Sequence, residues 1–317
     1  MAKKRSKINP KYKTEYRVRN WSEYDRGLVD CGDVTVWLSP AAIEGWVPAP
    51  TGERGAPPRY SDAAIETALA IRLVFSLGWR QTEGFVRSLL RMLELELPAP
   101  DHTTLSRRSR TLDVDVARAR RDGPIHLIVD STGLKVFGQG EWATRKHGAT
   151  GSGWRKLHLG VDATGTIVAA ELTDSDVADA SAAPDLIDQV DDELVRFTAD
   201  GAYDRKSVYD QLAARGARAV IPPRRDAVVS DGDLVLGDRD AAVQRIAEVG
   251  RRAWEAESDY RQQGRAENTI GRYKRLFGGR LRSRDERGQR VEVMVACRVL
   301  NRMLELGAAR SFATSAA

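Results

Sequence analysis

Three carboxylates in this sequence stand where phosphoryl chemistry would want them. Asp130 closes the apolar run Ile125-His126-Leu127-Ile128-Val129, and Asp200 closes Leu194-Val195-Arg196-Phe197-Thr198-Ala199. Glu267 lies on a basic, helix-prone stretch from Tyr260 to Phe277. Two acids at strand ends and a third on a later helix are a usual way to build a two-cation site. Three carboxylates brought together repel one another and rise in pKa unless divalent cations neutralise them. Two Mg²⁺ ions held in this way, or Mn²⁺ in their place, would activate a water or a 3′-hydroxyl and stabilise the leaving oxygen. Taken singly, each acid has a plainer reading. Asp130 would cap the turn Ser131-Thr132-Gly133, Asp200 would make an Asx turn before Gly201, and Glu267 would be a surface helix residue. Only the combination points to a site.

The elements that must position these acids are legible after Gly123-Pro124. Strands are expected at 125–130, 155–161, 166–172, 194–199 and 217–221. Lys156 to Val161 alternates polar and apolar residues as a half-buried strand does, and Asp162-Ala163-Thr164-Gly165 turns it into the next strand. Helices are expected over 179–190, 205–215, 255–277 and 291–306, with an insertion around 223–255 that holds the turn Ser230-Asp231-Gly232-Asp233. Three antiparallel strands, then strand–helix–strand, then a late helix describe an α/β, ribonuclease H-like fold with a mixed five-stranded sheet. In that fold the acids fall on the first strand, just past the fourth, and on a late helix. This catalytic domain would run over 121–307, followed by a frayed tail, 308–317.

Before it lies a mainly helical region, 21–120, behind a basic and flexible arm, 1–20. Asp33 to Leu38 looks strand-like, and 51–58 is a Gly- and Pro-rich loop. Ser61-Asp62 caps a helix carrying Ile65, Leu69, Leu73 and Leu77; Thr82 starts a second; Asp101 or Thr103 caps a short basic one. The last two outline a helix-turn-helix DNA reader, in which Arg107, Arg108 and Arg110 would reach phosphates or guanine edges. A solvated Arg-rich face accounts for the segment equally well.

Charge agrees with a polyanionic partner. The 317 residues carry a net charge of +5, concentrated at Lys3 to Arg19 and Arg261 to Arg284, while 174–193 is acidic. The two cysteines, Cys31 and Cys297, form no CxxC pair, so neither a zinc site nor a disulfide framework is expected. No secretory signal and no membrane-spanning run is present, which favours a cytoplasmic protein.

The motifs around the acids resemble those of the IS5 family of bacterial insertion-sequence transposases, of the DDE type. Asp130-Ser131-Thr132-Gly133-Leu134-Lys135-Val136 is similar to the family's first-Asp motif, with Gly140-Glu141-Trp142, Arg145-Lys146-His147-Gly148 and Trp154 to His158 following it. Asp200-Gly201-Ala202-Tyr203-Asp204 resembles the second, and Ile221-Pro222-Pro223-Arg224 the segment after the fifth strand. The third motif is Tyr, two residues, Arg, three residues, Glu, six residues, Lys. Tyr260, Glu267 and Lys274 stand at those spacings, but Gln263 occupies the Arg position. Gln donates a hydrogen bond without charge or a bidentate fork.

The resemblance implies that Asp130, Asp200 and Glu267 bind two Mg²⁺ ions. It implies DNA contacts by Tyr260, Gln263 and Lys274, and Lys146 and Trp154 suit the same task through charge and stacking. It further implies double-stranded DNA partners (terminal inverted repeats and target), a homodimer or larger synaptic complex, and action at the bacterial nucleoid. A hydrolytic nuclease on the same fold, a non-enzymatic DNA-binding relative such as a repressor, and a structural protein using its acids as caps are the alternatives.

Overall fold

The computed structural model describes residues 16–49, 59–116, 123–136, 153–230, 237–309 and 311–313. In chain order its elements are β1 (Tyr16–Val18), α1 (Trp21–Asp30), α2 (Pro40–Glu44), α3 (Asp62–Val74), α4 (Trp79–Met92), α5 (His102–Arg108), β2 (Ile125–Val136), β3 (Trp154–Val161), β4 (Ile167–Asp174), α6 (Asp179–Asp188), β5 (Leu194–Thr198), α7 (Lys206–Ala214), β6 (Arg218–Val220), α8 (Gly237–Val249), α9 (Arg251–Glu257), α10 (Gly264–Phe277), β7 (Arg280–Leu281), α11 (Glu286–Leu306) and β8 (Ser311–Ala313). Single 3-10 turns occur at Val34–Trp37, Gly201–Tyr203 and Tyr260–Gln263. The chain divides into two units, 1–36 with 302–317, and 37–301.

In the smaller unit β1 pairs antiparallel with β8, Arg17 opposite Phe312. Part of the arm expected to be flexible and part of the tail expected to fray thus form strands; residues 1–15 and 314–317 lie outside the described residues. Asn20 Nδ2 donates to the Ala308 carbonyl at 2.8 Å. A Cβ on Gly27 would meet Gly307 Cα at 2.7 Å, so this backbone approach excludes a side chain. The segment 33–38 expected as a strand winds instead into the 3-10 turn. Asp33 Oδ1 accepts from the Thr35 N–H and hydroxyl, a local bond that competes with sheet pairing.

The larger unit is built on a mixed sheet, order β4-β3-β2-β5-β6. β2, β3 and β4 form an antiparallel meander, while β5 runs parallel to β2 and β6 parallel to β5. Asp162 closes the β3–β4 hairpin by accepting from Thr164 N (2.7 Å) and Thr166 N (3.0 Å). Helices flank this sheet, as the ribonuclease H-like reading requires, and a helical region precedes it. Five strands were expected and a sixth is present, because β2 runs twelve residues rather than ending at Asp130. Its early part pairs with β5 up to Ile128, and its last two residues pair with β7. The proposed turn at Ser131-Thr132-Gly133 is therefore continuous strand.

Leu127, Val129 and Phe197 meet Leu186, Ile187 and Leu212 of α6 and α7 in a fully enclosed core. Each such side chain contributes about 1.5–3 kcal/mol by leaving water. α10 packs on β2 and β3 with Ala266, Ile270 and Tyr273 buried. The insertion carries α8 and α9, whose Ala242 and Trp254 cover Val220 of β6; residues 231–236 lie outside the described residues.

In the preceding helical region Ser61 Oγ caps α3 through Ala64 N (3.1 Å), and Asp101 caps α5 through Thr103 N and Thr104 N. α4 begins at Trp79, not Thr82, because Gln81 Oε1 accepts from Gly78 N at 2.8 Å and so caps the helix earlier. The connection from α4 to α5 spans 93–101, longer than the three- or four-residue turn of a helix-turn-helix; the short one, 75–78, joins α3 to α4. No helix among the described residues is long and apolar enough to cross a membrane.

Candidate active site

Parallel pairing of β2 and β5 aligns the first two acids. Its last pair is Ile128 with Thr198; two residues on stand Asp130, still in β2, and Asp200, just past the end of β5. Side chains two apart share a face, and neighbouring strands lie about 4.8 Å apart. Asp200 keeps extended backbone and then caps the Gly201–Tyr203 turn, its Oδ1 accepting from Ala202 N at 2.9 Å. The Asx turn is thus present on the same side chain that is the candidate second acid. Asp130 Oδ1 accepts from Ser131 N at 2.8 Å.

Burial raises Asp130 to about 6; the Ser131 hydrogen bond opposes this, and the charges of Asp200, Glu267 and Asp179 add to the rise. Asp200 is also raised, first by burial and then by Asp179, against the Ala202 N–H. Tyr260 is pushed up to about 12 by burial and by Asp200, Glu255, Glu267 and Asp130. The three acids and Tyr260 therefore share one negative field. Glu267 is exposed in the first turn of α10, and the exposed Lys274 follows seven residues later, nearly two turns on and so on the same side.

Gln263 is not where a DNA contact would put it. It is 5 % exposed, and its Nε2 donates to the Val129 carbonyl at 2.9 Å. This bond ties the turn before α10 to the strand residue preceding Asp130. The contact expected of Gln263 with phosphate is replaced by an internal clamp. The neighbouring arginines do not substitute for it: Arg261 pairs with Asp259 at 2.6 Å, and Arg265 donates to Gln262 Oε1 at 2.6 Å.

A fourth acid belongs to the same field and was not expected. Asp179, at the start of α6, has Oδ1 3.2 Å from Lys156 Nζ and 3.6 Å from His158 Nδ1. Neither contact is aligned as a hydrogen bond. Lys156 donates instead to the Val177 carbonyl at 2.7 Å. His158 is fully buried against Thr173 Oγ1 (2.9 Å), and burial lowers it to about 4, which keeps it neutral at pH 7. In sequence Asp179 looks like any acid in a first helical turn, so no local signal marks it.

Among the arginines of α5 and its end, Arg108 pairs with the exposed Asp62 and donates to the Tyr60 carbonyl (3.2 Å). Arg107 is exposed, and Arg110 Nε lies 3.2 Å from Asp285. Trp154 is half-exposed at the start of β3, beside Gly133. Lys146, with Trp142, Arg145 and His147, lies outside the described residues. Asp204 is buried and pairs with Arg239 at 2.9 Å.

Asp130, Asp200 and Glu267 supply oxygen donors only, and among the described residues none has a Lys or Arg partner. That chemistry fits a hard divalent cation. Among the described residues, however, no three His, Cys, Asp or Glu groups are drawn close enough together to hold a metal ion as they stand.

Two family profiles, each described as "Transposase DDE domain", match the chain, over residues 29–139 and 121–302. The second covers more than half of the chain. A solved structure, the cryo-EM structure of a piggyBac transposase synaptic complex with hairpin DNA, is similar at 12 % identity and a TM-score of 0.36, covering 91 % of this chain and 76 % of that one.

Proposed function

The chain belongs to the transposase DDE domain family, and from that premise we propose that it is an IS5-type insertion-sequence transposase. It binds its element's terminal inverted repeats, cuts at the element ends and joins the freed 3′-hydroxyls to target DNA. The observation that carries this reading is the common field of Asp130, Asp200 and Glu267, acids from a strand, from just past the end of its parallel neighbour, and from a later helix.

The three acids would hold two Mg²⁺ ions, which Mn²⁺ can replace; when bound, they supply Lewis-acid activation of the attacking oxygen and stabilisation of the leaving one. The chain's own residues do the rest. Strand pairing fixes Asp130 and Asp200 relative to each other, and the Gln263 clamp fixes the helix that presents Glu267. Lys274 offers a point charge to a phosphate beside Glu267. Tyr260, half-buried next to the acids and against Trp254, borders the scissile phosphate. Hydrolysis breaks a P–O3′ bond and leaves a 3′-hydroxyl; that hydroxyl then displaces a 3′-oxygen in target DNA. Two ends must be joined, so a dimer or larger synaptic complex is the working form.

The test is strand transfer. Full-length protein is mixed with a labelled duplex carrying an inverted repeat from the DNA flanking its coding frame, a supercoiled plasmid, and Mg²⁺ or EDTA. Metal-dependent joining is expected, lost in Asp130→Ala and Glu267→Ala while end binding persists. Binding without cleavage in Mg²⁺ or Mn²⁺ would instead identify a DNA-binding relative without catalysis.

A further inference from the structure

Away from the acids, a groove of about 710 Å³ opens between the start of α4 and α5. Its walls are held by named bonds. Glu83 on α4 accepts from His102 N (2.9 Å), and its Oε2 lies 2.7 Å from His102 Nδ1, which fastens the start of α5 onto α4. The connection between them is pinned by Trp46 Nε1 on the Pro98 carbonyl (2.8 Å) and the Tyr60 hydroxyl on the Ala99 carbonyl (3.1 Å). Leu105 is fully buried beneath α5.

The lining is basic and carries no acid among the described residues: Arg80, His102, Arg107 and Arg110, with Trp79 and Ser106. Arg110 is engaged by Asp285. Arg80 and Arg107 are exposed and have no acidic partner among the described residues. Glu83, the nearest acid on α4, is already occupied by His102 and Arg87. Trp79 is held from one side by the Arg72 guanidinium, 4.0 Å from its ring centroid, which makes it a fixed apolar surface. Two free guanidiniums, a hydroxyl and an indole in one open groove match a phosphodiester strand, with its repeating phosphates and sugars.

We propose that this groove grips the phosphodiester backbone of the DNA substrate, with Arg80 and Arg107 as its phosphate contacts. The inference rests on the reading of the chain as a DNA enzyme and names a contact surface remote in sequence from the acids. It moves the DNA contact of this region from the α5 arginines alone to a surface shared with the start of α4.

Full-length protein is titrated against the labelled end duplex by fluorescence anisotropy over a range of salt concentrations. The double variant Arg80→Ala, Arg107→Ala is compared with wild type and with Arg91→Ala, Arg252→Ala, which removes two exposed charges outside the groove. The groove variant should lose roughly tenfold or more in affinity near 0.15 M salt, and its slope of log K against log salt should shrink by about 2. The control pair should keep both. Wild-type binding with an unchanged slope in the groove variant would overturn the groove and leave the transposase reading standing. Equal losses in both pairs would overturn it too, by showing a diffuse charge effect. Failure of the wild type to bind DNA would overturn groove and reading together.

Discussion

Asp130→Asn should make this protein more stable and unable to cut DNA. The folded chain moves Asp130 from its ordinary value of 3.8 to about 6, chiefly by burial and then by Asp200, Glu267 and Asp179. A displacement of that size corresponds to about 3 kcal/mol of unfavourable charge in the ionised form. The side chain is only half-buried, so screening by water reduces this to roughly 1–1.5 kcal/mol. The sign follows from proton binding. The folded state holds the Asp130 proton more tightly than the unfolded chain does, so the contribution is complete below pH 3.8 and lost as pH rises through 6. Asn keeps the acceptor for Ser131 N and carries no charge at any pH. In EDTA at pH 8 the variant should therefore melt about 1.5–2.5 °C above wild type, and at pH 4 the difference should largely vanish. Added Mg²⁺ at pH 8 should raise the melting temperature of wild type, by mass action, and much less that of the variant. Scanning calorimetry under these conditions decides the matter. A variant no more stable than wild type at pH 8 in EDTA, or equally stabilised at both pH values, would refute the electrostatic account of the site.

Gln263→Ala removes the bond to the Val129 carbonyl and should cost about 1–3 kcal/mol; end cleavage should fall while end binding holds, and unchanged melting with full cleavage would show the clamp to be idle. Gln263→Arg should not rescue it, because a guanidinium would be forced into a position 5 % exposed, and a melting temperature equal to wild type would contradict this. Arg239→Ala leaves the Asp204 carboxylate buried without its partner and should lower stability by about 3–5 kcal/mol in a urea titration; a loss below about 1 kcal/mol would place that pair among the weak surface ones. Gly160→Ala would set a Cβ 2.8 Å from Leu127 Cδ1 and 3.1 Å from Ala169 Cβ, so overpacking should cost about 1–3 kcal/mol in the same assay.

What the sequence discloses well is whatever a short window determines. The strand from Lys156 to Val161, the Asp162 turn and the caps at Ser61 and Asp101 each rest on interactions within a few residues and stand close to their expected bounds, but Leu157 to Val161 is buried without a break, on both faces, where the alternation predicts a half-buried strand. Long-range pairing is different. β7 is two residues long and is a strand only because β2 runs far enough to receive it. The pairing of β1 with β8 joins segments almost 300 residues apart, and neither has enough periodicity of its own to announce a strand. Asp33 to Leu38 has β-branched residues at strand spacing, but one carboxylate accepting from Thr35 redirects the backbone.

The site divides along the same line, and Gln263 shows why. Motif spacing gives a residue's place on the chain and hence the side of a helix, so Glu267 and Lys274 fall together as counted. It does not say whether a side chain turns outward to a ligand or inward to a neighbour. An arginine at position 263 would have to keep its charge near solvent or a phosphate; a neutral amide can be buried, and here it takes the carbonyl beside Asp130. The glutamine at the motif's Arg position thus joins the turn before the Glu267 helix to the Asp130 strand. Asp179 is the converse case. Nothing about its neighbours in sequence distinguishes it, and only the packing of α6 against β2 and the Gly201–Tyr203 turn brings its charge to bear on Asp130 and Asp200. A set of three acids is countable in sequence, while the fourth charge that tunes them is a property of the folded chain.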